Sequence, residues 1–549
     1  MRRGITWLVI IIFLAVAGVA FRKPAEKYFD IAKSLDIFAT LFKEVNAYYV
    51  DEVEPQKLVR HGIEGMLESL DPYTDYIPED ELESFQITTT GQYGGIGALI
   101  GIVNKKVVVT HPYKNFPAYR SGIKVGDEII SVDGKSIQGK TPTEISGLLK
   151  GLPKTSLELK VRRAGKSEAV TYQLTREKIG LTNLSFYGIV EPEIGYVRLD
   201  DFTPGAAREV SEAVVKLKQK GAKKLILDLR NNPGGLLHEA VNIVSLFIEK
   251  GQEVVSTKGK VEEWNKSYKT LNHSVDKEIQ MAVLVGEGSA SASEIVAGAL
   301  QDYDRAVLMG QRTFGKGLVQ TTRPLAYNSQ LKVTTAKYYI PSGRCIQALD
   351  YSHRKNDGSV ERFADSLKME FKTKAGRKVY DGGGLDPDVV VEEEYAGSIT
   401  TALINAGLVF EFASKYCGDH PVKPDLKSFQ LSDKDFEDFL AFAKSQKFEY
   451  VTALEDDMKK LLETAKKEHY YEQLGNELNE LNRKVQASKS TDIKNYKTEI
   501  VDILREQIGF HYDLYEGQAE VFLKSDKAII EARKILNDSL AYRKLLSVN

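Results

Sequence analysis

The sequence predicts a multidomain α/β protein: a helical N-terminal region, a small glycine-rich β module inserted before an α/β core, and an all-α C-terminal extension. Its 549 residues are enough for three or four domains of ordinary size. Strands alternate with helices between residues 180 and 392, a pattern typical of a parallel sheet with helices on its faces. Glycine and proline make up 51 of the first 394 residues but only 8 of the last 155, so a separate helical region is expected to begin there.

The composition excludes several classes of protein. The 75 basic and 77 acidic residues give a net charge of −2, which is not the basic balance of a general nucleic-acid binder. A hydrophobic share of 42% is sufficient for packed cores and excludes wholesale disorder. Two cysteines are too few for a disulfide scaffold or a cysteine-based zinc cluster. These two residues, Cys345 and Cys417, either pair with each other or remain buried free thiols.

Residues 1–22 are typical of a signal anchor or a signal peptide. Residues 4–21 are apolar except for Thr6, with Arg2-Arg3 before them and Arg22-Lys23 after them. This apolar run is long for the core of a signal peptide and short for a full membrane span. We expect export to the periplasm, with the segment anchoring the chain in the inner membrane. The alternative is a cleaved signal peptide and a soluble periplasmic protein.

Residues 23–88 are expected to be helical. Five apolar residues fall on one face of a helix: Ile31, Leu35, Phe38, Leu41 and Val45. The pattern breaks at Leu70-Asp71-Pro72-Tyr73, whose residue types are those of a turn.

Residues 89–178 form the predicted β module. A glycine-rich approach to a strand at 93–100 is followed by a strand at 106–110, a turn, strand and hairpin turn at 121–134, a short helix at 142–149 and a strand at 156–162. This order resembles a PDZ domain. The resemblance implies that backbone N–H groups of the loop Gly95, Ile96 and Gly97 hold the terminal carboxylate of a peptide, which joins the edge of the sheet.

Residues 179–394 form the predicted α/β core, and residues 395–549 the helical extension. Core strands are expected at 194–199, 224–229, 281–285 and 306–309, with helices at 204–221, 236–249 and 293–303. In the extension, Leu474, Leu478, Leu481 and Val485 form a packing stripe at helical spacing. Docking of an adaptor, self-association and a short coiled coil are the alternatives for this region.

Three segments of the core carry residue types suited to acyl transfer. In Gly288 to Glu294, three serines stand between an apolar strand and a helix, where free backbone N–H groups can bind an oxyanion. A serine hydroxyl needs a base, and Lys316 can act as one if its amine is kept neutral. A third segment, Asp228 to Gly235, ends a buried strand in a tight turn whose N–H groups suit the second half of an oxyanion hole.

Other interpretations of these segments fit less well. A serine-rich turn alone is usually a helix cap, and Ser293 is a candidate for that role. Gly310 to Lys316 matches the start of a phosphate-binding loop, but Gly317 replaces the expected Ser or Thr and a strand follows. The eight histidines are scattered, and His238 is expected to lie on a helix face.

Together the segments resemble the C-terminal processing peptidases, also called tail-specific proteases. The matching segments are 70–72, the PDZ region, 228–235, 289–294, 314–317, 341–344 and 383–388. The resemblance implies a serine endopeptidase with nucleophile Ser291, base Lys316 and orienting residue Gln320. It also implies oxyanion donors at Gly235 and Ala292, with Gly234 as a further candidate. It implies polypeptide substrates with accessible C-termini and no requirement for a metal or cofactor.

Two other functions are compatible with the sequence. One is a PDZ adaptor on an inactive core, against which the intact Ser291, Lys316 and Gln320 argue. The other is acyl-CoA chemistry that uses both glycine turns as an oxyanion hole, which the PDZ module and the export signal disfavour.

Overall fold

The computed structural model describes residues 28–355, 358–392, 396–489 and 491–547. They fall into two compact units: the first ends at Tyr76 and takes in Leu331–Val333, and the second holds the remainder. The predicted export segment, residues 1–22, lies outside the described ranges. Within those ranges no helix is both long and apolar enough to span a bilayer.

The first unit is mainly helical, as the sequence predicts. It contains α1 (28–48) and α2 (Pro55–Glu68), with β1 (Asp75–Ile77) at its end. Pro55 opens α2, where its fixed backbone angle suits the first helical turn. The predicted turn is present: the buried Asp71 side chain accepts the N–H groups of Tyr73 and Thr74. The apolar stripe on α1 is largely exposed; Leu35, for example, is 64% accessible.

The predicted PDZ module is present between the N-terminal helices and the core. Its elements are α3 (Leu82–Thr90), β2 (Gln92–Gly95), β3 (Ala98–Val103), β4 (Lys106–Pro112), α4 (Pro117–Arg120), β5 (Glu128–Val132), β6 (Lys135–Ser136), α5 (Pro142–Leu149), β7 (Ser156–Arg162), β8 (Ala169–Thr175) and β9 (Glu177–Gly180). The sheet order is β3-β4-β5-β7-β8, which leaves β3 at an edge beside α5. A capping box of Thr141 and Glu144 begins α5 at the predicted residue.

The core follows the predicted alternation of strands and helices. Its elements are β10 (Leu184–Glu191), β11 (Ile194–Leu199), α6 (Ala206–Gln219), β12 (Lys224–Asp228), α7 (Leu237–Ser245), β13 (Glu253–Gly259), β14 (Lys266–Lys269), β15 (Gln280–Val285), α8 (Ala292–Asp302), β16 (Val307–Gly310), β17 (Leu318–Pro324), β18 (Gln330–Tyr339), β19 (Leu349–Arg354), β20 (Val360–Arg362), β21 (Glu370–Lys372), β22 (Lys378–Tyr380) and β23 (Val389–Val390). The main sheet has the order β10-β11-β12-β15-β16-β23; β11 to β23 run parallel and β10 antiparallel. A second sheet contains β17, β18, β13 and β14.

The C-terminal extension is helical throughout its described part. Its helices are α9 (Ser398–Asn405), α10 (Leu408–Asp419), α11 (Asp433–Ser445), α12 (Ala453–Lys467), α13 (Tyr471–Lys489), α14 (Asp492–Asn495), α15 (Lys497–Phe522), α16 (Lys527–Asn537) and α17 (Ser539–Leu546). Helix α15 is interrupted at Asp513 and Leu514, whose backbone angles are not helical. The predicted stripe lies on α13, but Leu474 and Leu481 remain about half exposed.

Helices cover both faces of the main sheet, which explains why its strands are almost continuously apolar. One face packs against α6, α7 and α8. The other packs against α16 and α17, with Ile529, Leu536 and Leu546 buried against strand residues such as Ile226 and Leu284. Part of the extension predicted to begin at residue 395 therefore belongs to the core.

The PDZ module also packs against the C-terminal helices. Lys114 of the module forms ion pairs with Asp513 (2.7 Å) and Glu516 (3.0 Å) at the interruption of α15. The ring of His111 lies against the rings of Phe510 and Tyr515. The extension thus contacts both of the modules that precede it.

Candidate active site

Three loops leave the carboxyl ends of adjacent parallel strands and meet at one edge of the main sheet. They are 229–236 after β12, 286–291 after β15 and 311–317 after β16. This edge is where ligands bind in open α/β sheets. The loops contain the predicted residues Gly235, Ser291 and Lys316, so the fold brings together segments that are far apart in the chain.

Ser291 has a backbone conformation that serine rarely adopts. It immediately precedes α8, with φ 55° and ψ −110°. Such a conformation in a residue other than glycine costs about 1–3 kcal/mol and is found mainly at functional sites. The two neighbouring serines are structural. Ser289 donates to the carbonyl of Leu229 (2.8 Å), and Ser293 donates to the carbonyl of Asn232 (2.9 Å).

The prediction that Ser293 caps the helix is wrong. The residue before the first turn of α8 is Ser291, and Ser293 already belongs to the helix. Its hydroxyl is fully buried and tied to the loop after β12. Ser293 therefore joins two of the loops instead of capping a helix.

Glu294 joins the nucleophile loop to the lysine loop. Its side chain is fully buried, and Oε2 accepts the backbone N–H groups of Ser291 (2.9 Å) and Lys316 (2.9 Å). Its Oε1 accepts the hydroxyl of Thr313 (2.5 Å) and the N–H of Gly315 (2.8 Å). One carboxylate thus fixes the backbones of both predicted catalytic residues.

The charge state of Glu294 reflects two opposed effects. The pKa of Glu294 is raised above its ordinary value, because the effect of burial exceeds the opposite effect of the hydrogen bonds from Thr313, Lys316, Gly315 and Ser291. All four partners donate to the carboxylate in this arrangement, which matches the acceptor capacity of an ionised group.

Lys316 lies between two glycines because the backbone is crowded on both sides. A Cβ at Gly315 would lie 2.4 Å from the Cβ of Ala348, and one at Gly317 would lie 2.8 Å from the nitrogen of Gln347. The side chain of Gln347 accepts the N–H of Gly317 at 2.8 Å. These contacts hold the lysine loop against the segment that follows β18. Strand β17 begins directly after the lysine loop.

Gln320 lies on β17, four residues after Lys316. Its amide donates to the hydroxyl of Thr334 on β18 at 3.1 Å. Tyr338, also on β18, is buried, and its hydroxyl donates to the carbonyl of Ser291 at 3.2 Å. Tyr338 also donates its backbone N–H to the carbonyl of Gly317 at 2.9 Å, so the second sheet contacts the backbone of the serine and of the residue after the lysine.

The glycine turn after β12 lies directly against the serine. A Cβ at Gly234 would stand 2.7 Å from the nitrogen of Ala292 and 2.9 Å from the Cβ of Ser291, so only glycine fits. The N–H of Gly234 donates to the side chain of Asn232 at 2.9 Å. Because this bond already uses the N–H of Gly234, Gly235 is the better candidate for the oxyanion donor of this turn. The N–H of Ala292, the first residue of α8, has no acceptor within its own helix.

Asp228 and Arg230 hold this turn through contacts with each other. Arg230 donates to Asp228 through its backbone N–H (3.0 Å) and its guanidinium (2.6 Å), and Tyr196 adds a hydroxyl donor at 2.7 Å. Burial would raise the pKa of Asp228, but the charge and hydrogen bonds of Arg230 outweigh it and lower the pKa. His238 has an exposed side chain on α7, as expected.

The predicted carboxylate-binding loop, Gly95 to Gly97, lies in the PDZ module, which has a hydrophobic core of its own. Gly95 pairs with Glu177 in the β2–β9 ladder, and Ile96 is buried. The carbonyls of Ile96 and Gly97 accept the N–H groups of Ala118 (2.9 Å) and Tyr113 (2.9 Å). Because each peptide plane is trans, the N–H groups that follow these carbonyls, at Gly97 and Ala98, point the opposite way.

Sequence reasoning assigned no role to Glu294, Asn232 or Tyr338. The spacing of Ser291 and Glu294 matches a capping box, and that local signal could have identified the glutamate. Asn232 and Tyr338 act through contacts across the fold and leave no comparable local pattern. Cys345 and Cys417 are free thiols, so the disulfide alternative is excluded.

Comparisons with known proteins agree with this architecture. The profile of peptidase family S41 matches residues 193–351, and that of a PDZ domain matches residues 108–163. Residues 399–536 match the profile named "Probable PDZ-protease, C-terminal helical domain". The three matches follow one another along the chain in the order that the sequence predicts.

Individual relatives carry the same classification. A carboxy-terminal-processing protease of Bartonella bacilliformis is 37% identical over 321 residues, which cover 58% of this chain and 73% of the relative. A Staphylococcus aureus protein named "Probable CtpA-like serine protease" is 39% identical over 317 residues, covering 57% of this chain and 62% of the relative. The solved photosystem II D1 C-terminal processing protease is 28% identical, covers 68% of this chain and 96% of its own, and has a TM-score of 0.35. The chain therefore belongs to the carboxy-terminal-processing proteases, serine-type peptidases of family S41 with a PDZ domain.

Proposed function

We propose that this chain is an exported endopeptidase that binds the C-terminal tail of an unfolded or target protein and cleaves it with a Ser291–Lys316 dyad. The observation that carries the proposal is the shared hold of Glu294 on the backbones of these two residues. A strained serine before a helix and a lysine between two glycines are thereby kept in one place. Membership of a serine peptidase family supports the same assignment.

In this mechanism Ser291 attacks the carbonyl carbon of a peptide bond. As the Oγ–carbon bond forms, Lys316 in its neutral form takes the hydroxyl proton. The same proton then passes to the departing amine nitrogen when the carbon–nitrogen bond breaks. A water molecule hydrolyses the resulting ester and restores Ser291. Gln320 orients the lysine from the adjacent strand.

The oxyanion is bound by the N–H groups of Gly235 and Ala292. The second of these is the first N–H of α8, so the positive end of the helix dipole adds to the stabilisation. Removal of one oxyanion donor typically costs about 100- to 1,000-fold in kcat. The turn after β12 is therefore expected to contribute strongly to the rate, although less than the dyad.

Tail capture uses the edge of the PDZ sheet. The peptide would pair with β3, and the N–H groups of Gly95, Ile96 and Gly97 would hold its terminal carboxylate. Of these, the N–H of Gly97 points away from the bonds that its loop makes within the module. Leu99 and Ile102 on β3 are about half exposed and suit an apolar tail.

The test uses residues 24–549 and an unfolded protein that ends in apolar residues, in two forms: with a free and with an amidated C-terminus. We expect the parent protein to release fragments, and Ser291→Ala and Lys316→Ala to release none. Lys337→Ala, which removes an exposed lysine of β18, is the matched control and should cleave normally. Amidation should raise KM, because it removes the charge that the loop binds.

Two results would contradict the proposal. Cleavage by Ser291→Ala at the parental rate would exclude the nucleophile, and equal cleavage by Lys316→Ala would exclude the base. Tail binding without cleavage by the parent protein would instead favour an adaptor. Mass spectrometry of the products separates these outcomes.

Export is the second part of the proposal. Residues 4–21 with their flanking positive charges support an anchor in the inner membrane facing the periplasm. Fusion of residues 1–27 to alkaline phosphatase, which is active only outside the cytoplasm, should give an active enzyme in the membrane fraction. A soluble, shortened periplasmic product would support the cleaved signal peptide, and an inactive fusion would contradict export.

A further inference from the structure

The catalytic turn after β12 is held by a residue of the C-terminal helices. The guanidinium of Arg230 donates to Asp228 at 2.6 Å and, through Nη1, to Asp526 at 2.9 Å. Asp526 lies 296 residues further along the chain, outside the region that matches the peptidase family. The side chains of Arg230 and Asp526 are only 20% and 17% exposed, so solvent screens this pair less than a surface pair.

Asp526 has two separate functions in the structure. Its Oδ1 accepts the N–H of Ile529 at 2.9 Å and so caps α16, while Oδ2 accepts from Arg230. Helix α16 packs against the main sheet, which fixes the position of the carboxylate relative to the turn. The pair thus connects two elements that are each anchored in the same core.

Arg230 transmits this hold to the residues that face the serine. Its own N–H and its guanidinium both bind Asp228, so the residue cannot rotate without breaking both contacts. Two residues later, Asn232 accepts the N–H of Gly234 (2.9 Å) through its side chain and the N–H of Ala290 (3.0 Å) through its carbonyl. A shift of Arg230 would therefore move the turn that presents Gly235.

The surroundings of Arg230 make such a shift feasible. A cavity of about 330 Å³ is lined by Arg230 and Asp526 together with Glu506 and Phe522 of α15. Without the charge of Asp526, the guanidinium has room to turn toward Glu506. Asp526 is thus the second of the two carboxylates that fix the guanidinium, beside Asp228.

We propose that Asp526 is a positioning residue of the protease, which holds the oxyanion-binding turn in place through Arg230. This inference rests on the proposed function, because it assumes that the turn 231–235 supplies an oxyanion donor. The C-terminal helices then help to position the active-site residues. Any partner that moves the start of α16 changes the catalytic rate.

The test is Asp526→Asn in the same protein, residues 24–549. Asparagine caps a helix as well as aspartate does, so its one oxygen can keep the N–H of Ile529 while its NH₂ group, which cannot accept, replaces the oxygen that binds Arg230. Asp538→Asn is the matched control, since Asp538 caps α17 by accepting the N–H groups of Leu540 and Ala541. We expect Asp526→Asn to lower kcat about tenfold, less than the loss of an oxyanion donor itself, with KM within about twofold.

Hydrogen exchange of the peptide 229–236 gives a readout that does not depend on cleavage. Exchange in this peptide should rise in Asp526→Asn and stay at the parental level in Asp538→Asn, while both variants keep the parental Tm within a few degrees. Equal exchange and equal kcat in the two variants would overturn the inference. A parent protein that does not cleave the substrate would refute the proposed function. If exchange in the peptide 229–236 is still faster in Asp526→Asn than in that parent, the positioning role of Asp526 stands.

Discussion

Replacement of Glu294 by glutamine is the most direct perturbation of the site. The carboxylate accepts four donors, two at each oxygen, and an amide keeps only one oxygen. If that oxygen stays on Ser291 and Lys316, the new NH₂ group faces the Thr313 hydroxyl, which can rotate to accept, and the N–H of Gly315, which cannot. The opposite orientation leaves the N–H groups of Ser291 and Lys316 without an acceptor.

The magnitude follows from this count. One buried N–H without a partner costs about 1–3 kcal/mol, and the neutral amide regains part of the penalty for burying a charge. We expect a net loss of about 1–2 kcal/mol in the free energy of unfolding. A displacement of the serine or lysine loop by about 1 Å is sufficient for a 100-fold loss of rate, so kcat should fall by about 10- to 100-fold.

The assay combines urea denaturation with steady-state cleavage of the tailed substrate. Glu209→Gln is the control, because Glu209 also accepts a threonine hydroxyl (Thr182, 2.8 Å) and a backbone N–H (Asn183, 2.8 Å), but on α6. It should lose less stability, because both of these donors bond the same oxygen, Oε2, which glutamine can keep, and its kcat should stay within about twofold of the parent. A kcat for Glu294→Gln equal to that of the control would refute the positioning role of Glu294.

Three further predictions follow from strain, burial and packing. Ser291→Gly should have a free energy of unfolding about 1 kcal/mol higher than that of Ser291→Ala, because both variants lack the hydroxyl and only glycine adopts φ 55° without strain. Equal urea midpoints for the two variants would contradict the strain. Burial, with added repulsion from neighbouring carboxylates, raises the pKa of Glu506 from 4.5 to about 7, so its contribution to stability is present below pH 4.5 and lost as pH rises through 7. Glu506→Gln should therefore be more stable than the parent at pH 8, by about 3 kcal/mol at most, and closer to it at pH 5, as measured by thermal unfolding; the same difference at both pH values would contradict the effect of burial. Deletion of residues 527–549 should remove roughly 8 kcal/mol of the free energy that apolar burial contributes to folding, and we expect an insoluble chain. A soluble, active product would contradict the packing of α16 and α17 on the sheet.

The order of the modules was predictable from the sequence, and the helices and strands predicted in the PDZ module and the core are present with bounds that differ by a few residues at most. The helix at 142–149 and the strands at 156–162 and 194–199 begin and end where predicted. These elements have strong local signals: a proline behind a capping threonine, or a short apolar run between turn residues. The serine and lysine candidates were also predictable, since glycines and small residues mark tight turns at strand ends. Their catalytic roles remain a prediction.

Long-range contacts determined the rest. The sequence could not show that Glu294 binds the backbones of both Ser291 and Lys316, or that the N–H of Gly234 is already used by Asn232. It could not show that the last two helices cover the open face of the sheet, or that Asp526 reaches Arg230 across 296 residues. Periodicity and turn chemistry report only on neighbours along the chain. A buried carboxylate or guanidinium needs hydrogen-bond partners once water is excluded, and an apolar sheet face needs a covering layer. Both are supplied by segments that are distant in the chain and meet only when the protein folds.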